Sequence, residues 1–240
     1  IPEAQAILEY FESVYTKKTI AAQRRNDLAD KIDSCSGLTP AIIEQDLCGW
    51  NAEKWGSIYK GNISTSIESM KNIYYNKKAI PAMCFHWPNP LTEGGRFPDS
   101  QEDLLEGQFE KLVTEGSEEY TIMMQDLDQH LDYLQELTDL NIPVLWRPLH
   151  EIDGGWFWWT DSSYTAQLWR IIFDHIVNVR HMNNLIWVYC MGEGNLEKKP
   201  AEYRKHFYPG AEYLDIAGID LYHWDYKNGI REFWNGTVSY

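Results

Sequence analysis

The chain of 240 residues has only four cysteines. Cys35, Cys48, Cys84 and Cys190 make no CxxC pair and no zinc-like spacing, which counts against a cysteine-ligated metal. Cys35 and Cys48 are near enough in sequence to approach each other; otherwise four buried thiols are expected. Basic residues are also scarce, 21 against 36 acidic ones, and the formal charge of −15 argues against a nucleic-acid backbone or an anionic membrane as partner. No apolar run approaches the roughly 20 residues that span a bilayer. No signal peptide is present, and a start at Ile1 reads as a mature or trimmed form. No GxGxxG loop follows an early strand, which counts against a dinucleotide-binding open sheet. His150-Glu151 lacks the second histidine of HExxH, so neither metal nor cofactor is expected.

Aromatic residues, in contrast, are abundant: 14% of the chain, with 11 Trp and 15 Tyr. Flat apolar faces with a polar edge suit sugar rings as well as cores. They are densest in PVLWRPLHEIDGGWFWW, Pro143–Trp159. This stretch continues an apolar run, Ile142 to Trp146, that suits a buried parallel strand. Arg147, His150, Glu151 and Asp153 then put polar groups where the strand should end. Gly154–Gly155 turns the chain, and Trp156, Phe157, Trp158 and Trp159 follow. Burying a carboxylate beside indole rings costs free energy unless it is paired or protonated. A site that must keep a proton on a carboxylic acid gives a reason for it. The bland alternative is that Glu151 merely pairs with Arg147.

Apolar positions at helical spacing predict helices over Ala4–Tyr15, Ser64–Tyr74, Thr121–Leu140 (Met124, Leu127, Leu131, Leu134, Leu137) and Ser163–Val179 (Leu168, Ile171, Ile172, His175, Ile176, Val179). Asn26–Ser36 reads as helix or loop, Gln101–Val113 as a further helical candidate, and Pro200–Tyr208 as irregular. Extended runs are Thr19–Gln23, Pro40–Gln45, Ala79–Trp87, Ile142–Trp146, Asn184–Met191 and Tyr213–Tyr222. Six strands alternating with helices predict a parallel sheet covered by helices. Polar and aromatic residues gather where strands end, at Asp46, His86, His150–Glu151 and Tyr222–His223, the face on which (β/α)8 barrels carry their sites. The expected fold class is therefore α/β, a TIM-type (β/α)8 barrel. Residues 1–240 would form one catalytic domain that stops after about the sixth strand, two β/α units short.

WRPLHEIDGGWFWW, with FHWPNP at Phe85–Pro90, NLIWVY at Asn184–Tyr189, YPG…YLDIAGIDLY at Tyr208–Tyr222 and GLTPAIIEQDL at Gly37–Leu47, resembles glycoside hydrolase family 26. Endo-β-1,4-mannanases dominate that family, and the resemblance runs from about Thr19 to Tyr222. It implies a retaining hydrolase on a (β/α)8 barrel that acts on β-mannan or a related neutral polysaccharide outside the cell or in the periplasm. Glu151 matches the general acid/base. His150 matches a histidine of the catalytic subsite, His86 the histidine ending strand three, Trp156 the aromatic platform, and Tyr222 the tyrosine that bonds the nucleophile. Trp87 and Trp224 are weaker candidates for substrate contacts. The family's nucleophile, a glutamate ending strand seven, would fall beyond residue 240, and Glu193 is a poor substitute for it. Mixed-linkage β-glucan, β-1,3-xylan, or a non-catalytic carbohydrate-binding barrel are the alternatives.

Overall fold

The structure is a computed structural model that describes residues 1–48, 63–92, 97–192 and 201–221. Six strands pair in chain order, and every pairing is parallel. They are β1 (Ala22–Arg24), β2 (Ile42–Asp46), β3 (Ile80–Cys84), β4 (Val144–Arg147), β5 (Leu185–Met191) and β6 (Ile216–Ile219). Helices fill the crossovers: α2 (Asn26–Ser36), α3 (Ile63–Tyr75), α4 (Gln108–Leu112), α5 (Glu118–Asp139), α6 (Thr165–Asp174) and α7 (Ala201–Arg204). The sheet is the curled arc of a (β/α)8 barrel, as the alternation predicts, with α1 (Pro2–Val14) preceding it.

The sheet separates two cores. Its outer face presents Ile43, Met83, Val144, Trp146, Leu185, Trp187 and Tyr189 to the helices in one large cluster. The inner face carries Ala82, Leu145 and Ile186, against which Ile7, Leu8 and Phe11 of α1 pack. A cavity of about 420 Å³ lies on this inner side, lined by Phe11, Ile42, Ala82, Leu145, Arg147 and Ile216, among others. Because side chains alternate across a strand, one register step takes a residue from one core to the other.

Local signals account for the helices. Pro2 starts α1 at a position where its missing N–H costs nothing. Ser117 caps α5 by accepting from the Tyr120 amide at 3.0 Å, with Glu118 and Glu119 in the first turn. The buried stripe of α5 is Met123, Leu127, Leu131, Leu134 and Leu137, so the expected Met124 gives way to its neighbour and is itself only partly buried. Gly37 ends α2 at φ 69°, a conformation that suits glycine.

Four expectations need correction. After α6, residues His175–Val179 form a π-helical turn, with the Arg180 amide bonded to the His175 carbonyl. The wider turn breaks the 3.6-residue phase, so Ile176 stays buried while Val179 is 63% exposed. Residues 201–207 are not irregular but form α7 and a short 3₁₀ turn. Cys35 is an exposed thiol on α2, not a buried one, and is not bridged to the buried Cys48. Trp87 is fully buried, stacked on Phe85 at 5.5 Å, and donates to Asp126 of α5 at 2.6 Å, which leaves no ring face for a sugar.

Candidate active site

The inner face grades from apolar to charged along the strands. Ile42, Glu44 and Asp46 all point inward from β2, and the adjacent rungs carry Arg24, Cys84, Arg147 and Cys190. Arg147 donates to Glu44 at 2.6 Å and to Asp220 at 2.7 Å, tying β4 to β2 and to the end of β6. Burial opposes its charge, but these carboxylates hold its pKa well above the ordinary value. Arg24 donates to Asp46 at 2.7 Å. Burial pushes the Cys190 thiol up to about 12 and also raises that of Cys84, so both stay protonated and inert.

Glu151 stands just past β4 and is 5% exposed. It does not pair with Arg147, which is bonded to Glu44, Asp220 and Cys190; its Oε2 accepts from Trp156 Nε1 at 2.6 Å. The loop is held in a costly shape. Leu149 and Glu151 have φ of 47° and 50°, left-handed values that cost a non-glycine residue about 1–2 kcal/mol each. The fold over-determines that shape. The Gly154 amide donates to the Glu151 carbonyl at 2.7 Å, and the Ile152 amide to the Cys190 carbonyl at 3.1 Å. Asp153, fully buried, accepts from the Gly192 amide at 2.7 Å and pairs with Arg204 at 3.1 Å.

Two glycines make room for this arrangement. A Cβ on Gly154 would lie 2.5 Å from the Trp156 ring and 2.9 Å from the Glu151 carbonyl oxygen. One on Gly192 would meet Glu151 Cβ and the Trp156 ring, both at 3.3 Å. Of the aromatic run only Trp156 is open, at 37% exposure. Phe157 and Trp159 stack at 4.3 Å beside His150, Trp158 Nε1 donates to the Trp87 carbonyl at 2.8 Å, and Trp159 Nε1 to the His150 carbonyl at 3.3 Å. Three of the four are therefore the wall behind the site, and Trp156 is its rim.

His86 and His150 meet. Their Nε2 atoms lie 3.1 Å apart, and His86 Nδ1 lies 2.5 Å from Asp46 Oδ2. Both imidazoles are buried. Burial, with the charges of Arg147 and Arg24 acting in the same direction, holds His150 well below the ordinary histidine pKa, so it is neutral. Its Nδ1 is buried without a hydrogen-bond partner. Asp46, Cys84 and His86 bring three possible ligand atoms within 4.8 Å. Arg24 donates into that group, to Asp46 and to Cys84, and His86 is bonded to the same carboxylate, so hydrogen bonding already serves the lone pairs a cation would need.

The structure thus brings Glu151, His150, His86 and Trp156 to one end of the sheet and moves Trp87 behind them. Tyr222, Trp224 and Glu193 lie outside the described residues. Arg24, Glu44, Gly192 and Arg204 were not anticipated. For Glu44 a signal existed: Ile42, Glu44 and Asp46 alternate with Ile43 and Gln45, the pattern of a strand with one polar-ending face.

A buried carboxyl group at a strand end, walled by indoles on an arc of parallel strands, is the arrangement of a (β/α)8 barrel with its candidate site at the strand ends. A family profile described as glycosyl hydrolase family 26 matches residues 2–238, and the chain belongs to that family. A mannan endo-1,4-beta-mannosidase of Thermothelomyces thermophilus is 30% identical over 91% of this chain and 44% of its own length. One from Bacillus subtilis is 32% identical over 82% of this chain and 54% of its own length. The chain therefore spans about half the length of these relatives. Among solved structures, a beta-mannanase from a symbiotic protist of the termite Reticulitermes speratus, complexed with gluco-manno-oligosaccharide, superposes with a TM-score of 0.75 at 30% identity, covering 97% of this chain and 76% of the other. GH26A from Muricauda sp. superposes with a TM-score of 0.83 at 27% identity, covering 99% and 78%.

Proposed function

We propose that this protein is a secreted, retaining endo-β-1,4-mannanase that cleaves mannan or galactomannan, with Glu151 as its general acid/base. The observation that carries the reading is the placement of Glu151: buried beside His150, bonded to Trp156, at the strand end of a family 26 barrel. Glu151 gives its proton to the glycosidic oxygen as the C1–O bond breaks and a second carboxylate bonds to C1. It then takes a proton from the water that releases the sugar. Trp156 offers the exposed ring on which a pyranose can stack, and His86 and His150 line the same end. No nucleophile is assigned among the described residues. Relatives named mannan endo-1,4-beta-mannosidases, and the neighbour complexed with gluco-manno-oligosaccharide, support the substrate class.

A second reading is action on a mixed-linkage β-glucan or a β-1,3-xylan; for the glucan it draws on the match to an Endoglucanase H of Acetivibrio thermocellus, 35% identical over 98 residues. A third, a carbohydrate-binding barrel without turnover, is separated by the same experiment. Reducing-sugar release from galactomannan by the full gene product is expected, and Glu151→Ala should lower turnover by about 10²–10⁴-fold with little change in affinity for mannan. Equal cleavage by the variant overturns the acid assignment. Cleavage of lichenan but not mannan moves the substrate, and binding with no cleavage of either moves the class.

A further inference from the structure

Asp46 of β2 touches neither Glu151 nor Trp156, yet both of its oxygens are bonded beside the histidines. Its Oδ2 accepts from Arg24 at 2.7 Å and lies 2.5 Å from His86 Nδ1, while its Oδ1 accepts from the His86 amide at 3.3 Å. We propose that Asp46 is a positioning residue that fixes both histidines in one tautomer: His86 protonated on Nδ1, His150 protonated on Nε2, and His150 Nδ1 left bare as an acceptor. The argument follows the protons. A carboxylate that already accepts from a guanidinium presents only lone pairs, so His86 Nδ1 must carry the hydrogen between them. Arg24 shares the same oxygen, so Asp46 does not also require a cationic imidazole for its neutralisation.

His86 Nε2 is then a bare nitrogen, and the 3.1 Å contact to His150 Nε2 can be a hydrogen bond only if His150 donates. His150, neutral by its surroundings, has no second proton for Nδ1. Buried and without a protein partner, that nitrogen accepts a donor, for which a ligand hydroxyl is the matching chemistry. A residue of β2 thereby sets the hydrogen-bond polarity of the group next to Glu151. The tautomer assignment rests on the hydrogen-bond geometry together with the neutrality of His150; its effect on turnover rests on the glycosidase reading above.

Asn at position 46 cannot reproduce this. Either its NH₂ faces Arg24 and His86 Nδ1, or it faces the His86 amide; in both orientations donor meets donor. Long-range ¹H–¹⁵N imidazole spectra of the wild-type protein, recorded at about pH 8, above the ordinary histidine range, should show one tautomer for each histidine as assigned. Asp46→Asn should give mixed tautomers at both His86 and His150, and kcat lower by about 100-fold with a smaller change in KM. Wild-type spectra with His86 protonated on Nε2, or His150 on Nδ1, overturn the proposal, and so does a variant that keeps both wild-type tautomers. Wild-type spectra as assigned, with no turnover of any glycan, would count against the proposed function and leave the tautomer assignment standing.

Discussion

Trp146 and Arg147 are neighbours in β4 and face opposite sides of the sheet. Trp146 is fully buried among the residues that meet the helices, with Phe85 stacked at 5.8 Å. Arg147 points into the arc, where two guanidinium groups meet the carboxylates of Glu44, Asp46 and Asp220. The outer layer is held by apolar area, which is non-directional and tolerant of repacking. The inner layer is held by ion pairs and hydrogen bonds, each needing a specific partner at a specific distance. The proposed site sits on the second kind of surface, and the first keeps the strands in register beneath it.

The sharpest break in that contrast is expected at Arg147. Arg147→Met leaves Asp220 without its cation and Glu44 with only the longer contact to Arg24 at 3.8 Å, and unfolding in urea should show a loss of about 3–5 kcal/mol. A loss under 1 kcal/mol would mean that the inner pairs are as weak as surface ones. In the outer layer, Leu127→Ala opens a cavity under α5 and should cost about 2–5 kcal/mol. Turnover per folded molecule should stay unchanged; a fall in kcat at full folding would erase the distinction between the faces.

Titration separates the layers more gently. His150 is held below its ordinary value of 6.5, first by burial and also by the charges of Arg147 and Arg24. The unfolded chain therefore binds a proton there that the folded chain refuses, and stability falls as pH drops below about 6.5. Asp46 adds a second, lower window. Burial alone would raise its pKa, but His86 and Arg24 hold it below 3.8. Its contribution is intact above about 3.8 and is lost as pH falls through the folded value. Melting curves across this range should show both descents, and His150→Phe should remove the upper one. The smallest effect is expected at the rim. Trp156→Phe keeps a ring but removes the donor to Glu151, and kcat should fall by about tenfold with KM little altered; an unchanged kcat would reduce Trp156 to a stacking surface.

Much of this was legible in the residues. The runs Pro40–Gln45, Ala79–Trp87 and Ile142–Trp146 foretold β2, β3 and β4 to within a few residues, and the apolar stripe of α5 foretold that helix with its phase displaced by one at Met123. Glu151 and His150 declared themselves by their cost, since an acid among indoles is hard to explain by burial alone. The failures have physical reasons. Trp87 follows His86 in sequence, and nothing in FHWPNP tells which of the two faces the barrel. The π turn at His175–Val179 is a one-residue slip in hydrogen bonding that leaves no compositional trace. Gly192 is an ordinary loop glycine until Glu151 and Trp156 are seen packed over it.

Local pattern by itself settled which segments are strands and helices, that the strands run parallel, and that an acid, two imidazoles and an indole belong to one end of the sheet. Hydrophobic period and strand-end chemistry are properties of neighbouring residues, and a linear reading can hold them. Who bonds to whom belonged to the tertiary structure: Arg147 to Glu44 across 103 residues, His86 to Asp46 across 40, Asp153 to Gly192 across 39. Those pairings depend on how far the sheet curls and on which face each strand turns inward, and that geometry exists only once all six strands are side by side.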